Sequence, residues 1–488
     1  MIKLFLITEG SFDIGFGHIT RCTSLYQAFE EKGIIPKLII NGDETVNGLL
    51  SGKKYSLLGW LKNRKDLYHL IKGSDIVVID SYLAAPDFYN DISNIAKLSV
   101  YIDDNKRIDY PKGIVVNGTI FAEKMDYPPK KDIDYLLGSM YIPLRKEFWY
   151  IQAKGIKEDI ESVMVTFGGD DSRNMTSKVL RLLVDRYPKL TKKVIIGKGF
   201  RNTNEIESIK DNRTGLIYYP NAEGMKKVML ESDIAISAGG QTLYEFARVG
   251  IPTIAITVAD NQLNNIKGWQ KTGFIEYAGW WENKVLDNIV KAIELLKCTD
   301  LRRKRAEIGK RIIDGLGARR IAGYCIKKYL TGNLILRRAE IRDMYNIYEL
   351  SNEPETRKNS FNQKRIELEE HKRWFLNKLD DKDCLFLVGE AEGEFLGQIR
   401  FDINGSEAII NISVNNKYRG LGIGKMLTEK AIDFLRLNNQ SILYIKSYIK
   451  KGNSSSIKLF EKANFKFMQE IIIKGQKAFE YQYHVRRG

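Results

Sequence analysis

Cysteine is scarce in this chain. Its 488 residues hold four, Cys22, Cys298, Cys325 and Cys384. They are scattered, with no metal or redox spacing, which excludes a disulfide framework and fits free thiols in a reducing cytoplasm. No run of 18 apolar residues exists, so no membrane span is expected. The amino terminus lacks a basic stretch followed by an apolar core and a cleavage site, so secretion is not expected. A basic tail is also missing, although the net charge is +16. The last 155 residues carry 27 basic and 21 acidic side chains, and the rest carry 50 and 40. Nucleic-acid binders concentrate such charge on one face or arm, so no nucleic-acid partner is expected. Diffuse positive charge suits small polyanionic ligands such as nucleotide diphosphates. No stretch is low in complexity, and the sequence sets no oligomeric state.

What the chain does have is length enough for two or three domains. Residues 1–140 alternate short apolar strands with helical stretches. The strands are expected at Lys3–Ile7, Lys37–Ile40, Asp75–Ile79, Val100–Ile102 and Ile114–Val116. The pattern restarts near Ser162, with strands at Val163–Phe167, Val194–Ile196, Leu216–Tyr219, Ile234–Ser237 and Thr253–Ile256. Residues 141–330 therefore form a second α/β half, and a ligand cleft is expected between the halves. Thr331-Gly332-Asn333 reads as a short linker after a helix. An α+β unit follows over 334–488.

Two glycine signatures stand out. Gly15-Phe16-Gly17-His18-Ile19-Thr20-Arg21 follows the first strand and opens a helix. This is where open parallel sheets bind ligands. The glycines allow a tight turn, the first helical amides can hold an anion, and His18 can act as a general base toward water. Other strand ends carry Asp80 and Tyr82, then Gly168-Gly169-Asp170-Asp171, then Ser237-Ala238-Gly239-Gly240, then Asp260-Asn261-Gln262. Glu245, early in the helix after Gly239-Gly240, suits a ribose, and the turn amides suit a diphosphate. No metal-ligand cluster is visible, so no metal is expected.

In this order the motifs Gly-x-Gly-His-x-x-Arg, Ile-Asp-x-Tyr, Gly-Gly-x-Asp, the Ser-Ala…Glu spacing and Asn-Gln resemble the UDP-sugar hydrolase family of pseudaminic acid biosynthesis. That family releases UDP from UDP-2,4-diacetamido-2,4,6-trideoxy-β-L-altropyranose on a glycosyltransferase-B-like fold. The resemblance spans about residues 1–330. It implies His18 as the water-activating base and Gly17, Tyr82, Asn261 and Gln262 near the sugar. It implies Gly168, Gly169, Gly239, Gly240 and Glu245 around UDP. One departure is present: where the family has Arg-x-Asp-x-Ser after the first strand, this chain reads Ile7-Thr8-Glu9-Gly10-Ser11.

The second signature, Arg419-Gly420-Leu421-Gly422-Ile423-Gly424-Lys425, also joins a strand to a helix. Inward-pointing amides and the helix dipole make a pyrophosphate nest. Antiparallel strands precede it, which argues against a dinucleotide fingerprint. With Val414 before it, and Asn453 and Leu459-Phe460-Glu461-Lys462-Ala463-Asn464-Phe465 after it, it resembles the acetyl-coenzyme A site of GNAT-superfamily N-acetyltransferases. Phe460 stands where that family often has a proton-donating tyrosine. Tyr444 and Tyr448 are alternative acids, Glu390 and Glu407 are candidate bases, and His371 and Trp374 are candidates to line the acceptor site.

The expected architecture is therefore two Rossmann-like domains, glycosyltransferase-B-like, followed by an α+β GNAT domain. The expected function is bifunctional: acetyl-coenzyme A-dependent N-acetylation of a UDP-linked aminosugar, and hydrolysis of the product to free sugar and UDP. The alternatives are a UDP-sugar glycosyltransferase fused to an acetyltransferase, and a sugar-nucleotide-binding regulatory protein.

Overall fold

The computed structural model describes residues 2–11, 14–282 and 284–485 and divides into two compact units, Ile2–Cys325 and Ile326–Gly488. The expected outer limits, residue 1 and residues 486–488, lie outside the described residues. Strands of a parallel sheet are buried on both faces and read as continuous apolar runs. Ile76-Val77-Val78-Ile79 is such a run, and all four side chains are fully buried.

The first unit contains two sheets. The first sheet comprises β1 (Leu4–Gly10), β2 (Lys37–Gly42), β3 (Tyr55–Leu57), β4 (Ile76–Asp80), β5 (Leu98–Ile102), β6 (Gly113–Asn117) and β7 (Ile133–Leu137). Its order is β3-β2-β1-β4-β5-β6-β7, with every pairing parallel. β3 and β7 are edge strands that the sequence pattern did not signal. β3 has three residues, and β7 carries Asp134 and Tyr135 in its middle.

The second sheet comprises β8 (Ser162–Thr166), β9 (Thr191–Ile196), β10 (Thr214–Tyr218), β11 (Ile234–Ala238), β12 (Thr253–Thr257) and β13 (Ile275–Trp280). Its order is β10-β9-β8-β11-β12-β13, again all parallel. Strand order reverses between β1 and β4 in the first sheet and between β8 and β11 in the second. Crevices open beyond the carboxyl ends of strands at such points. Apolar clusters lie on both faces of the second sheet, one around Val163, Ile236 and Ile256 and one around Met164, Ala235 and Ala255.

The second unit holds one sheet of β14 (Leu334–Arg338), β15 (Cys384–Ala391), β16 (Glu394–Asn404), β17 (Glu407–Val414), β18 (Tyr444–Lys450), β19 (Lys466–Ile473) and β20 (Gln476–His484). The order is β14-β15-β16-β17-β18-β20-β19. All pairings are antiparallel except β17 with β18. The expected linker is corrected. A helix runs over Gly317–Gly332 and β14 starts at Leu334, so Thr331 and Gly332 are helical and Asn333 alone separates the two elements. A terminal glycine costs a helix little when the preceding turns are packed, and Ile321, Ala322, Cys325, Ile326, Tyr329 and Leu330 are all buried.

Candidate active sites

His18 is the second residue of the helix Gly17–Glu30, which opens just beyond β1. β1 and β4 pair with Thr8 opposite Asp80, so Asp80 ends its strand beside that opening. The His18 Nδ1 lies 2.6 Å from Asp80 Oδ1, and both side chains are buried. Arg21, one helical turn after His18, donates from Nε to Asp80 Oδ2 at 2.9 Å and from a terminal nitrogen to Oδ1 at 2.7 Å. Burial raises the Asp80 carboxyl, but the Arg21 guanidinium and then His18 outweigh it, and the group is held below its ordinary range. Burial opposes the Arg21 charge, yet Asp104 and Asp80 raise its pKa well above the ordinary value.

An ionised Asp80 can only accept. His18 Nδ1 therefore carries the proton and donates, although an Arg21 nitrogen also lies 2.9 Å from it. That tautomer leaves Nε2 unprotonated, and Nε2 has no hydrogen-bond partner among the described residues. A histidine held in this way can accept a proton at Nε2, and the carboxylate can stabilise the imidazolium so formed.

Tyr82 sits edge-on to His18, with ring centroids 4.4 Å apart. Its hydroxyl donates to Asp104, which also accepts from Arg21. Burial and then Asp104 push the Tyr82 phenol up. Asp104 escaped the sequence reading, although it follows the apolar strand β5 just as Tyr82 follows β4. Glu9, the departure from the family pattern, is fully buried. It accepts from the Ser81 hydroxyl, from Tyr82 N–H at 2.7 Å and from Leu83 N–H at 3.1 Å. It therefore braces the loop that presents Tyr82.

In the second half, Gly168 takes φ +88°, and a Cβ at Gly168, Gly169 or Gly240, as at Gly17 in the first half, would meet only open space. Gly239 differs, because a Cβ there would lie 2.5 Å from Ile266. Asp171 caps the helix Met175–Arg186 through the Met175 and Thr176 amides at 2.9 and 2.8 Å. Gln262 was expected near the sugar, but its carbonyl oxygen accepts from Gly239 N–H at 3.2 Å and Val258 N–H at 3.1 Å, bracing the turn. Asn261 is exposed.

Glu245, in the first turn of the helix Thr242–Val249, is buried and held by Arg145 at 2.8 and 2.7 Å. Burial alone would lower the Arg145 pKa, but Glu245 raises it. Arg145 was not foreseen, since it lies in irregular chain after β7. Beside Glu245, Tyr244 accepts from the Ile120 amide of the first half at 3.0 Å and donates to Asn265 at 2.6 Å. Burial raises the Tyr244 phenol most, and Asp104 adds to it. Asn265 in turn donates to the Gly239 and Gly240 carbonyls at 2.8 and 3.3 Å, so a hydrogen-bonded chain runs from Ile120 in the first half to this turn in the second.

In the second unit, β17 and β18 pair only from Glu407↔Tyr444 to Ile409↔Lys446, although they run on to Val414 and Lys450. Their divergence leaves a wedge whose backbone groups can pair with an extended amide-bearing ligand. The Arg419 turn closes its end. Gly420 and Gly422 take φ +78° and +80°, and Gly422 caps the helix Ile423–Asn438. Arg419 donates to Val414 O at 2.8 Å and pairs with Glu353 at 2.5 Å.

Gly424 is needed for packing, because a Cβ there would lie 2.5 Å from Leu459 and 3.3 Å from Val414. Ile423 is buried beside it, and Leu421 is half-buried. Lys425 pairs with Glu429 at 2.6 Å. Asn453 caps the next helix through Ser456 N–H at 3.1 Å.

The structure also places five further residues that the sequence singled out. Glu390 is bound to Arg337 at 2.8 Å and Glu407 to Lys446 at 2.7 Å. His371 is buried in an aromatic cluster with Trp374 and Phe375, and burial lowers its pKa. Trp374 packs against Phe386 and beneath Arg400. Phe460 is buried against Phe465.

Among the described residues, no group of three or more His, Cys, Asp and Glu side chains is placed to hold a metal. No helix among them is long and apolar enough to cross a membrane.

Residues 162–311 match the glycosyltransferase family 28 C-terminal domain, and residues 341–465 match the acetyltransferase (GNAT) family. One chain thus carries a second α/β half similar to the glycosyltransferase family 28 C-terminal domain and a following domain similar to the GNAT family. It is similar over nearly its whole length to an uncharacterized protein of Methanocaldococcus jannaschii, with 23% identity over 95% of this chain and 97% of the relative. It is 26% identical, over 54% of its length, to the pseudaminic acid cytidylyltransferase and UDP-2,4-diacetamido-2,4,6-trideoxy-β-L-altropyranose hydrolase of Helicobacter pylori, of which the match covers 46%. The spore coat polysaccharide biosynthesis protein SpsG of Bacillus subtilis is 21% identical over 65% of this chain and 95% of that protein.

Proposed function

We propose that this chain is a cytoplasmic bifunctional enzyme of pseudaminic-type acid biosynthesis. Its carboxyl-terminal unit transfers acetyl from acetyl-coenzyme A to the amine of a UDP-linked 4-amino-4,6-dideoxy-sugar. Its amino-terminal unit hydrolyses the UDP-2,4-diacetamido-2,4,6-trideoxy-hexose to free sugar and UDP. The observation that carries the hydrolase half is the 2.6 Å His18–Asp80 contact at the strand switch point.

His18 Nε2 takes a proton from water as the water oxygen bonds to the anomeric carbon. The bond from that carbon to the diphosphate oxygen breaks, and UDP departs as an anion. Asp80 stabilises the imidazolium so formed. The open amides near Gly168, Gly169 and Gly240 hold the diphosphate. Glu245, oriented by Arg145, takes the ribose. Tyr82 and Asn261 lie near the sugar, and Gln262 supports them by holding the Gly239 turn.

In the other unit the amine nitrogen attacks the thioester carbon, the C–N bond forms, the C–S bond breaks, and coenzyme A leaves as a thiolate that takes up the proton the nitrogen gives to solvent. The β17–β18 wedge and the Arg419–Lys425 turn take the pantetheine arm and pyrophosphate.

The test is incubation of the purified chain with the diacetamido sugar nucleotide and no acceptor, read by mass spectrometry. Free sugar and UDP are expected, and His18→Ala should abolish both. UDP release that requires an added acceptor would instead establish a glycosyltransferase.

A further inference from the structure

The second unit buries two carboxylates among the described residues, Asp343, which Arg337 holds at 2.7 Å, and Glu480. Glu480 lies on β20 directly opposite Tyr448 on β18. It is 8% exposed. Its Oε2 accepts a hydrogen bond from a neutral donor, Gln469 Nε2, at 2.8 Å. It forms no ion pair among the described residues. A buried carboxylate without a cation is costly, so such a group invites a functional explanation. The two glutamates suggested by sequence as bases are consumed by Arg337 and Lys446.

Position supplies that explanation. The last paired residues of β17 and β18 are Ile409 and Lys446, so Tyr448 lies on the wall of the wedge. Directly paired residues of adjacent strands share a face, and strands lie about 4.8 Å apart. Glu480 is therefore one strand away from the wedge, on the face Tyr448 presents. The charged and titratable neighbours from adjoining strands are Lys446 and Tyr448 on β18 and Glu407 on β17. Lys446 is already held by Glu407 at 2.7 Å.

We propose that Glu480 is the general base of the acetyltransferase. This rests on the acetyltransferase reading above. The ammonium of the acceptor sugar gives a proton to Glu480 Oε1. The free amine attacks the thioester carbon, the C–N bond forms and the C–S bond breaks. The thiolate leaves, the acylated nitrogen gives up its second proton to solvent as the thiolate takes one from it, and Glu480 returns its own proton to solvent.

The experiment is the pH–rate profile of acetyl transfer by full-length Glu480→Gln. The glutamine carbonyl can still accept from Gln469, so the fold is kept. A loss on the order of 10²- to 10⁴-fold at neutral pH is expected. It should shrink as pH rises and the acceptor amine deprotonates without help. Coenzyme A affinity by calorimetry should stay at the wild-type value. Activity within threefold of wild type from pH 6 to 9 would overturn the assignment, and so would a loss that stays constant with pH. A wild-type chain that acetylates no aminosugar nucleotide would overturn the acetyltransferase reading instead, before any variant is made.

Discussion

Asp80→Asn is the sharpest perturbation of the amino-terminal site, because it removes a charge without removing volume. Asp80 now takes His18 Nδ1–H at 2.6 Å and two Arg21 nitrogens at 2.7 and 2.9 Å. An asparagine has one carbonyl and one NH₂ for these three donors. If the carbonyl faces His18, the NH₂ meets the Arg21 Nε–H, donor against donor. If it faces Arg21, the NH₂ forces His18 into the tautomer with Nε2 protonated, which cannot act as a base. Either choice also loses the carboxylate that stabilises the imidazolium. A wrong tautomer of this kind costs up to about 10⁴ in rate, and loss of a general base costs about 10²–10⁴. The expected fall in UDP release is therefore on the order of 10³-fold, or about 4 kcal/mol. Breaking a buried ion pair costs roughly 3–5 kcal/mol in stability, so melting must be measured alongside. Acetyl transfer by the same chain is the internal control and should hold steady. Hydrolysis within threefold of wild type by a folded Asp80→Asn would refute the base assignment.

Gly424→Ala should destabilise the second unit by about 1–3 kcal/mol through overpacking against Leu459, read as a lower melting temperature. Arg145→Met should raise KM for the sugar nucleotide with little change in kcat, because Glu245 loses its orientation before the chemistry begins; a change confined to kcat would contradict this. Lys154, whose ammonium donates to Met229 O at 2.8 Å, is pushed down to about 8 by burial. Its folded value lies below its unfolded one, so the unfolded chain holds more protons between about pH 8 and 10.5, and stability should rise with pH across that window, by at most about 3 kcal/mol. Denaturant titrations at pH 7 to 10 should show this slope in the wild type and its absence in Lys154→Met.

Both α/β halves were legible because their central strands are buried on both faces. Leu4–Ile7, Ile76–Ile79 and Ile234–Ser237 admit little else. The edge strands β3 and β7 were not, since an edge strand need not be apolar throughout. At the first site, His18, Arg21, Asp80 and Tyr82 could be found from strand-end position alone. Asp104 lay open to the same rule but follows a strand with no glycine signature to draw notice. Glu9 was visible only as a departure, and its brace on the Ser81–Leu83 loop needed three-dimensional contacts spanning more than 70 residues. Arg145 had no signal at all. Gln262, Asn453 and Gly424 carried motif identities, yet the structure uses them to cap, brace and pack.

The two halves of the first unit share one strand order around the switch point but differ in what they put there. In the first sheet the helix after β1 carries His18 and the end of β4 carries Asp80, groups able to move and hold a proton. In the second sheet the ends of β8 and β11 carry Gly168-Gly169 and Gly239-Gly240, which offer only backbone. Proton transfer demands side chains fixed to within a few tenths of an ångström, and the buried Arg21 and Asp104 supply that rigidity. Anion binding demands the opposite, amides without a Cβ in the way, and the open space at Gly168, Gly169 and Gly240 meets it. Tyr244 ties the two by accepting from Ile120 across the cleft, one residue before Glu245. A ligand with a diphosphate at one end and a reactive anomeric carbon at the other matches this division, since its two ends need these two kinds of surface.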